Sequence, residues 1–273
     1  MITYNHEKFI EQAINGVLMQ ECDFEVELIL ANDCSPDKTD EVIQKIIENH
    51  PRASWIKYIK HEKNLGMMPN FICALTQCQG KYIALCEGDD YWTDPLKLQK
   101  QVDFLDDNID FSGCFHNVWA FDTKTPNQNK KKWRNYEKNI FDTSDAISTI
   151  SLFHTSSYVF RNQLDNFPDW FKKVFSGDMA LLIFISEKGS LMLLNEFMSV
   201  YRKNENGVTS SLSEISFHEQ RIELWKHYLK YLPEKYHQKL KQIQKSHEIN
   251  LIKLKYPLFV KIHQVLNFKK VSK

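Results

Sequence analysis

Along the first hundred residues the apolar positions switch between two spacings. Phe9, Ile10, Ala13, Ile14, Val17 and Leu18 recur at helical spacing, and Val26 to Ala31 then form an apolar run of the length of a buried strand. Thr39 can cap a second helix bearing Val42, Ile43, Ile46 and Ile47; Pro51 breaks the chain, and WIKYIKH (55–61) alternates like a strand. Pro69 marks the start of a third helix and Gly80 its stop, before the strand KYIALC (81–86). The order α-β-α-β-α-β predicts an α/β fold with a mostly parallel sheet flanked by helices. Ligands of such sheets bind beyond the carboxyl ends of the strands.

Past residue 110 the pattern is less regular. It predicts strands near 111–120, at 156–161 and at 191–201, a polar loop over 122–135, and a helix over 178–188 that Gly189 stops. From about residue 214 only helical spacing remains. A domain over 1–213, with halves at 1–105 and 106–213, is therefore expected to precede a helical extension over 214–273. One stretch does not fit: MITYN leaves two or three residues for the strand that should precede the first helix. A sheet short of a central strand exposes unpaired backbone groups, so a natural start upstream is expected.

Composition narrows the class. At 273 residues, 42% hydrophobic and 13% aromatic, the chain can bury the core of a large domain. No run approaches the roughly 20 apolar residues that span a bilayer, and no basic stretch followed by an apolar signal core opens the chain, so an intracellular, cytoplasmic location is expected. Six cysteines, at 22, 34, 73, 78, 86 and 114, form no C-x-x-C pair and read as reduced thiols. The net charge of zero conceals an asymmetry. Residues 221–273 carry 13 Lys and Arg against 3 Asp and Glu, so a tail of +10 follows a body of −10. There are no internal repeats, no G-x-G-x-x-G or Walker loop, and no HExxH pair, which argues against a zinc hydrolase or a P-loop enzyme. Nucleic acid is not an expected partner.

The densest chemistry lies at CEGDDYW (86–92), where a short strand ends on three carboxylates in four positions. Repulsion among Glu87, Asp89 and Asp90 costs free energy unless a cation or hydrogen bonds compensate. A second polar cluster, in LILANDCSPDKTDEV (28–42), places Asn32 and Asp33 just past a strand, with Ser35, Asp37 and Thr39 in the turn. Asp, Ser and Pro are common turn residues, so this segment alone is also consistent with ordinary turn chemistry.

Taken together with TYNHEKFIEQAINGVLMQ (3–20), HEKNLGMMPNF (61–71) and GKYIALCEGDDYWTDPLKL (80–98), in this order and spacing, the chain resembles the family 2 glycosyltransferases over roughly residues 1–105. The resemblance implies the nucleotide-sugar-binding GT-A fold, with EGDD at the family's D-x-D position. It assigns a divalent Mg or Mn ion to Asp89 with Asp90 beside it, and leaves Glu87, which replaces the usual first Asp, as a partner of the donor's ribose or of the metal's ligands. Hard divalent ions bind through one or two carboxylates, phosphate oxygens and water, so the chemistry suits the residues. By the same carry-over Thr3, Tyr4 and Asn5 line the nucleotide pocket and Asp33 accepts from a ring N–H of the base. That contact favours UDP as the carrier. Asn64 and Gly66 match the loop beneath the donor, although Asn-x-Gly is also an ordinary turn.

Downstream, FSGDMALLIFISEKG (175–189) puts Asp178 at the head of a helix. Its ordinary role there is a helix cap; the resemblance implies a general base for the acceptor hydroxyl, and one residue could do both. The family's Tyr-Arg-x-His segment reads Tyr201-Arg202-Lys203-Asn204 here, and Asn cannot exchange a proton near neutral pH as His can. HTSSYVFR (154–161) resembles an acceptor-side segment. The implied reaction is inverting transfer of a sugar from a nucleotide-sugar to a glycan or lipid-linked glycan, in bacterial surface polysaccharide synthesis; the alternatives are a catalytically inactive nucleotide-sugar-binding module on the same fold, or a nucleotidyltransferase. The tail at 251–273 interleaves lysines with apolar residues and, as a helix after Pro257, reads as contact with the inner face of an anionic membrane or with the acidic body.

Overall fold

A computed structural model describes residues 1–125, 129–164, 167–204 and 212–257. The chain divides into two compact units, Met1–Asn204 and Glu205–Lys273. The first begins with β1 (Ile2–Thr3), α1 (Ile10–Leu18), β2 (Leu28–Asn32), α2 (Thr39–Asn49), β3 (Ile56–Lys60), α3 (Met67–Thr76) and β4 (Tyr82–Ala84). This is the alternation that the apolar spacing predicts. β1, β2 and β3 form a parallel sheet with β2 in the middle, and all five β2 residues are buried because both edges and both faces are covered. The apolar face of α1 (Ile10, Ile14, Val17, Leu18) packs with Leu28, Leu30 and Ile43 in one core cluster. Thr39 is the first residue of α2 rather than its cap: the Asp37 carboxylate accepts from Thr39 N–H at 3.0 Å.

β1 is two residues long and runs along β2 in the register Ile2 to Ala31 and Thr3 to Asn32. The Met1 nitrogen donates to Ile29 O at 2.7 Å. A cavity of about 430 Å³ lies beyond, lined by Met1, Leu28, Ile29, Ile83, Ala84 and Val102 among others, between β2 and β4.

The rest of the unit comprises β5 (Tyr91–Trp92), α4 (Lys97–Asp107), β6 (Phe111–Asp122), β7 (Lys131–Lys132), β8 (Ile140–Phe141), α5 (Thr143–Ser148), β9 (Val159–Arg161), α6 (Gly177–Ser186) and β10 (Ser190–Lys203). The second sheet runs β4-β9-β6-β10-β5 and is mixed: β6 and β10 are parallel, while β9 is antiparallel to both β4 and β6. β7 lies inside the stretch the sequence reads as a loop, and pairs with β6. α6 is buried all round, Met179 to Ser186, which explains its continuous apolar sequence. All six cysteines are free thiols.

The second unit contains α7 (Glu214–Tyr231) and α8 (His237–Lys255), packed on each other, with His218 and His247 joined Nδ1 to Nδ1 at 2.8 Å. The helical extension expected from residue 214 coincides with the start of α7. The tail helix expected after Pro257 lies outside the described residues, and no described helix is long and apolar enough to cross a membrane.

Candidate active site

The acidic turn leaves the end of β4 and enters β5. One carboxylate oxygen from each of Glu87, Asp89 and Asp90 lies within 4.8 Å of the others. Asp90 is buried, and its Oδ1 accepts from the backbone N–H of Arg202 at 2.9 Å. Its Oδ2 is buried with no hydrogen-bond partner. The nearest basic group is His154, whose Nδ1 is 3.7 Å from Asp90 Oδ2 but already accepts from Ser156 N–H at 3.3 Å. Burial holds His154 down to about 3, so its ring is neutral and offers Asp90 no positive charge. Burial, then the charges of Asp89 and Glu87, push Asp90 well above the usual carboxylate range. Burial, then Asp89 and Asp178, push Glu87 up to about 8.

The second edge of the turn comes from β10. Because Val200 pairs with Tyr91 and Ser199 with Trp92, the strand carries Arg202 and Asn204 directly to the turn. Arg202 makes no ion pair with the three carboxylates. Its guanidinium donates to the Asp89 backbone oxygen at 2.7 Å and to the Gln12 side chain, and lies over the Tyr91 ring at 4.2 Å. It therefore fixes the shape of the turn while contributing a nearby positive charge. Asn204 Nδ2 donates to Asp89 Oδ2 at 2.9 Å, and His6 Nε2 lies 3.8 Å from the same oxygen. The residue that departs from the family's Tyr-Arg-x-His pattern thus still reaches the acidic turn, as a hydrogen-bond donor.

Gly88 is required by a close approach. A Cβ at this position would sit 2.7 Å from Thr3 Oγ1 and 2.9 Å from His6 Nδ1, and Gly88 N–H donates to Ile2 O at 2.9 Å. The turn is thereby pressed against β1, with Thr3 buried and its hydroxyl 3.2 Å from His6 Nδ1.

On the same side, Asp33 is buried and its two oxygens accept from the backbone N–H groups of Leu65 (2.7 Å) and Gly66 (2.9 Å). Asn64 Oδ1 also accepts from Gly66 N–H, and Gly66 has φ of 90°. Asp33, Asn64 and Gly66, taken from the sequence as separate contacts, are one hydrogen-bonded unit. Tyr4 is exposed, and Asn5, at φ of 62°, donates its N–H to Ser35 Oγ at 3.0 Å. His6 and Glu7 N–H groups bond to Thr39 Oγ1 and Asp37 Oδ2, both at 2.9 Å, so the 4–7 and 35–39 loops brace each other.

Asp178 lies in the first turn of α6, whose N-cap is Ser176. A Cβ on the preceding Gly177 would lie 2.5 Å from Met68 Sδ, so the helix start is packed tightly on α3. The Asp178 charge is among those that raise the Glu87 carboxyl, after burial and Asp89. The structure therefore gathers Thr3, Glu87, Asp89 and Asp90 together, with Asp178 acting on Glu87 through its charge and Asp33, Asn64 and Gly66 as a braced loop on the β2 side. Sequence reasoning passed over His6, Gln12 and the role of Arg202. His6 stands inside a motif segment three residues from Thr3, a spacing that could have exposed it; the Gln12 to Arg202 contact spans 190 residues and leaves no local signal.

The acidic turn fits a hard divalent cation. Three carboxylate oxygens converge and one buried oxygen has no protein partner, a donor set of hard oxygens.

Comparison with known proteins gives the family and the fold. The profile of Glycosyl transferase family 2 matches residues 1–182, and the chain belongs to that family. Among curated relatives, the uncharacterized protein Rv1520 of Mycobacterium tuberculosis is 36% identical over 217 residues, covering 77% of this chain and 59% of the relative. The uncharacterized glycosyltransferase EpsJ of Bacillus subtilis is 24% identical over 76% of this chain and 60% of its own. The chain thus spans about three-fifths of the length of these relatives. Among solved structures, S. aureus TarS 1–349 in complex with UDP-GlcNAc superposes with a TM-score of 0.68 at 20% identity, over 95% of this chain and 76% of that one. The mannosyltransferase PcManGT of Pyrobaculum calidifontis, in complex with GDP-Man and Mn2+, gives 0.58 at 16% identity, over 84% and 62%. The fold is that of the GT-A glycosyltransferases.

Proposed function

We propose that this chain transfers a sugar from a nucleotide-sugar, with UDP as the favoured carrier, to a hydroxyl of a glycan or lipid-linked glycan, with inversion at the anomeric carbon. The observation that carries the reading is the convergence of Glu87, Asp89 and Asp90 at a strand end, beside Thr3 and within reach of the Asp178 charge. TarS was solved with UDP-GlcNAc and PcManGT with GDP-Man and Mn2+, which supports a nucleotide-sugar donor and a metal. The retained acidic trio and Asp178 favour an active enzyme over an inactive module.

A divalent Mg or Mn ion held by Asp89 and Asp90 would supply positive charge against the donor's diphosphate. Arg202 and Asn204 hold the turn in shape for that task, through the Asp89 carbonyl, the Asp89 carboxylate and the Asp90 carboxylate. Asp178 takes the proton from the acceptor hydroxyl as its oxygen bonds to the anomeric carbon and the bond from that carbon to the diphosphate breaks. Asp33 already accepts two backbone N–H bonds, so a base N–H would share the remaining lone pairs of its carboxylate while the 64–66 loop is kept in place.

Calorimetric titration with UDP and GDP, with and without Mn2+, tests the reading. Metal-dependent UDP binding tighter than GDP binding is expected; equal affinity for both would count against Asp33 as a reader of the base, and no binding of either would overturn the donor assignment. The tail at 251–273 is proposed to contact an anionic membrane surface at the cytoplasmic face. Flotation with anionic liposomes at about 0.1 M salt checks it, and a full chain that stays in the soluble fraction would remove that contact.

A further inference from the structure

β7 belongs to the stretch KKKWR (130–134), which puts four cationic residues in five positions beside the acidic turn. Lys131 and Lys132 pair with Ala120 and Trp119 of β6. The Lys132 ammonium lies 5.6 Å from the centre of the Phe197 ring, which stacks on Trp119 at 3.9 Å. The Lys130 ammonium lies 5.7 Å from the ring of Tyr91, the residue following Asp90. Trp133 meets His154 edge-on at 5.4 Å, and His154 in turn lies 3.7 Å from Asp90 Oδ2. A ladder of rings therefore leads from this strand to the carboxylates. Lys130, Lys131 and Lys132 are exposed, and among the described residues none is paired with a carboxylate. By contrast Lys57, Lys60, Lys81, Lys100 and Lys138 each hold an Asp or Glu.

Unpaired cations interleaved with rings suit a ligand that is both saccharide and anion: sugar faces pack on aromatic rings, and acidic groups meet the ammonium ions. We infer that β7 and its ring neighbours form a subsite for an acceptor glycan carrying negative charge, as phosphodiesters or as uronate carboxylates. The inference rests on the proposed transfer only for the word acceptor; the binding itself is measured without donor. Lysines on an edge strand also deter edge-to-edge pairing, and the test separates that role from recognition.

Fluorescence anisotropy of the full chain with labelled glycerol-phosphate oligomers, oligogalacturonate and dextran oligomers decides it. One or both anionic probes should bind about tenfold or more tightly than dextran at about 0.05 M salt, and lose most of that margin at about 0.3 M. Which anionic probe binds names the charged group. Lys131→Glu/Lys132→Glu should weaken the anionic probe by about tenfold, while the same charge change on α8, Lys241→Glu/Lys245→Glu, should not. Lys131→Gln/Lys132→Gln, which removes charge without reversing it, should give a smaller loss in the same direction. Equal binding of dextran and both anions, no loss in either β7 variant, or an equal loss in the α8 variant would overturn the subsite. UDP titration of the unaltered protein reports on the donor reading separately, so the two can fail independently.

Discussion

The two flanks of the acidic turn are held by different forces. On the β2 flank the contacts are directional hydrogen bonds between side chains and backbone: Asp33 to Leu65 and Gly66, Asn5 to Ser35, His6 to Thr39, Glu7 to Asp37. On the other flank rings pack: Trp133 on His154, His154 on Tyr201, Phe197 on Trp119. A hydrogen-bonded brace accepts few substitutions, because a lost partner leaves a buried polar group unsatisfied. Ring packing tolerates exchange among apolar residues of similar volume. Under the proposed reaction, the braced flank would serve the donor and the ring-packed flank the acceptor.

The sharpest way to break this comparison is to remove the turn that both flanks share. Asp89→Asn and Asp90→Asn should each lower metal-dependent transfer and donor hydrolysis by about 10²–10³-fold or more, and unchanged turnover in EDTA would sink the metal assignment. Asp178→Asn should cost about 10²-fold in transfer with donor affinity near normal, since a base acts on the acceptor. Weak donor binding with intact turnover at saturation would instead make Asp178 a donor contact.

On the β2 flank, Asp33→Ala should weaken UDP by about 1–3 kcal/mol, and much more than it weakens Mn2+, because the Leu65 N–H loses its acceptor and the Gly66 N–H keeps only Asn64 Oδ1. Hydrogen exchange at the Leu65 and Gly66 amides should accelerate in the same variant; unchanged exchange would show that the brace is held by other contacts. Gly88→Ala should destabilise the fold by about 1–3 kcal/mol, read as a lowered melting temperature, since its Cβ would overlap Thr3 and His6.

A further effect is expected beneath the ring-packed flank. Lys97 is fully buried, its ammonium 4.0 Å from the centre of the Trp92 ring and without a hydrogen-bond partner. Burial pulls it down to about 7, against the opposing pull of Cys86, Cys114 and Asp94. An unfolded lysine keeps its proton to about pH 10.4, so between those values the unfolded chain binds more protons and the native state gains stability as pH rises. Lys97→Met lacks this dependence. It should be more stable than the unaltered protein at pH 7 and lose that advantage towards pH 10. A Met variant that is less stable at pH 7 would mean that the ring contact outweighs the burial.

Much of the fold was legible because each early element follows one rule of spacing. α1, β2, α2, β3, α3 and β4 all lie where the apolar pattern puts them, within a few residues. α4 went unread because its buried face includes Lys97 and Gln101 beside Leu98, Val102 and Leu105, and polar residues on an inner face hide an apolar stripe. β7 went unread because its residues are all lysines on an edge, where strand propensity is weak. The carboxylates were legible as a motif. Their partners on β10 were not, since a hydrogen bond between distant segments leaves no periodicity in either.

That distance has a kinetic consequence. The bonds from Arg202 and Asn204 to Asp89 and Asp90 close loops of 112 to 115 residues, so the acidic turn reaches its working shape only when β10 has docked beside β6 and β5. Contacts between such remote segments form late, because the chain must first surrender the freedom of the whole intervening loop. A chain still emerging from synthesis at residue 182 would carry the carboxylates without the strand that shapes them. Affinity for Mn2+, followed during refolding, should therefore appear with the last phase of folding and serve as a clock for its completion; affinity that precedes β10 docking would show that the turn is shaped by its local sequence alone.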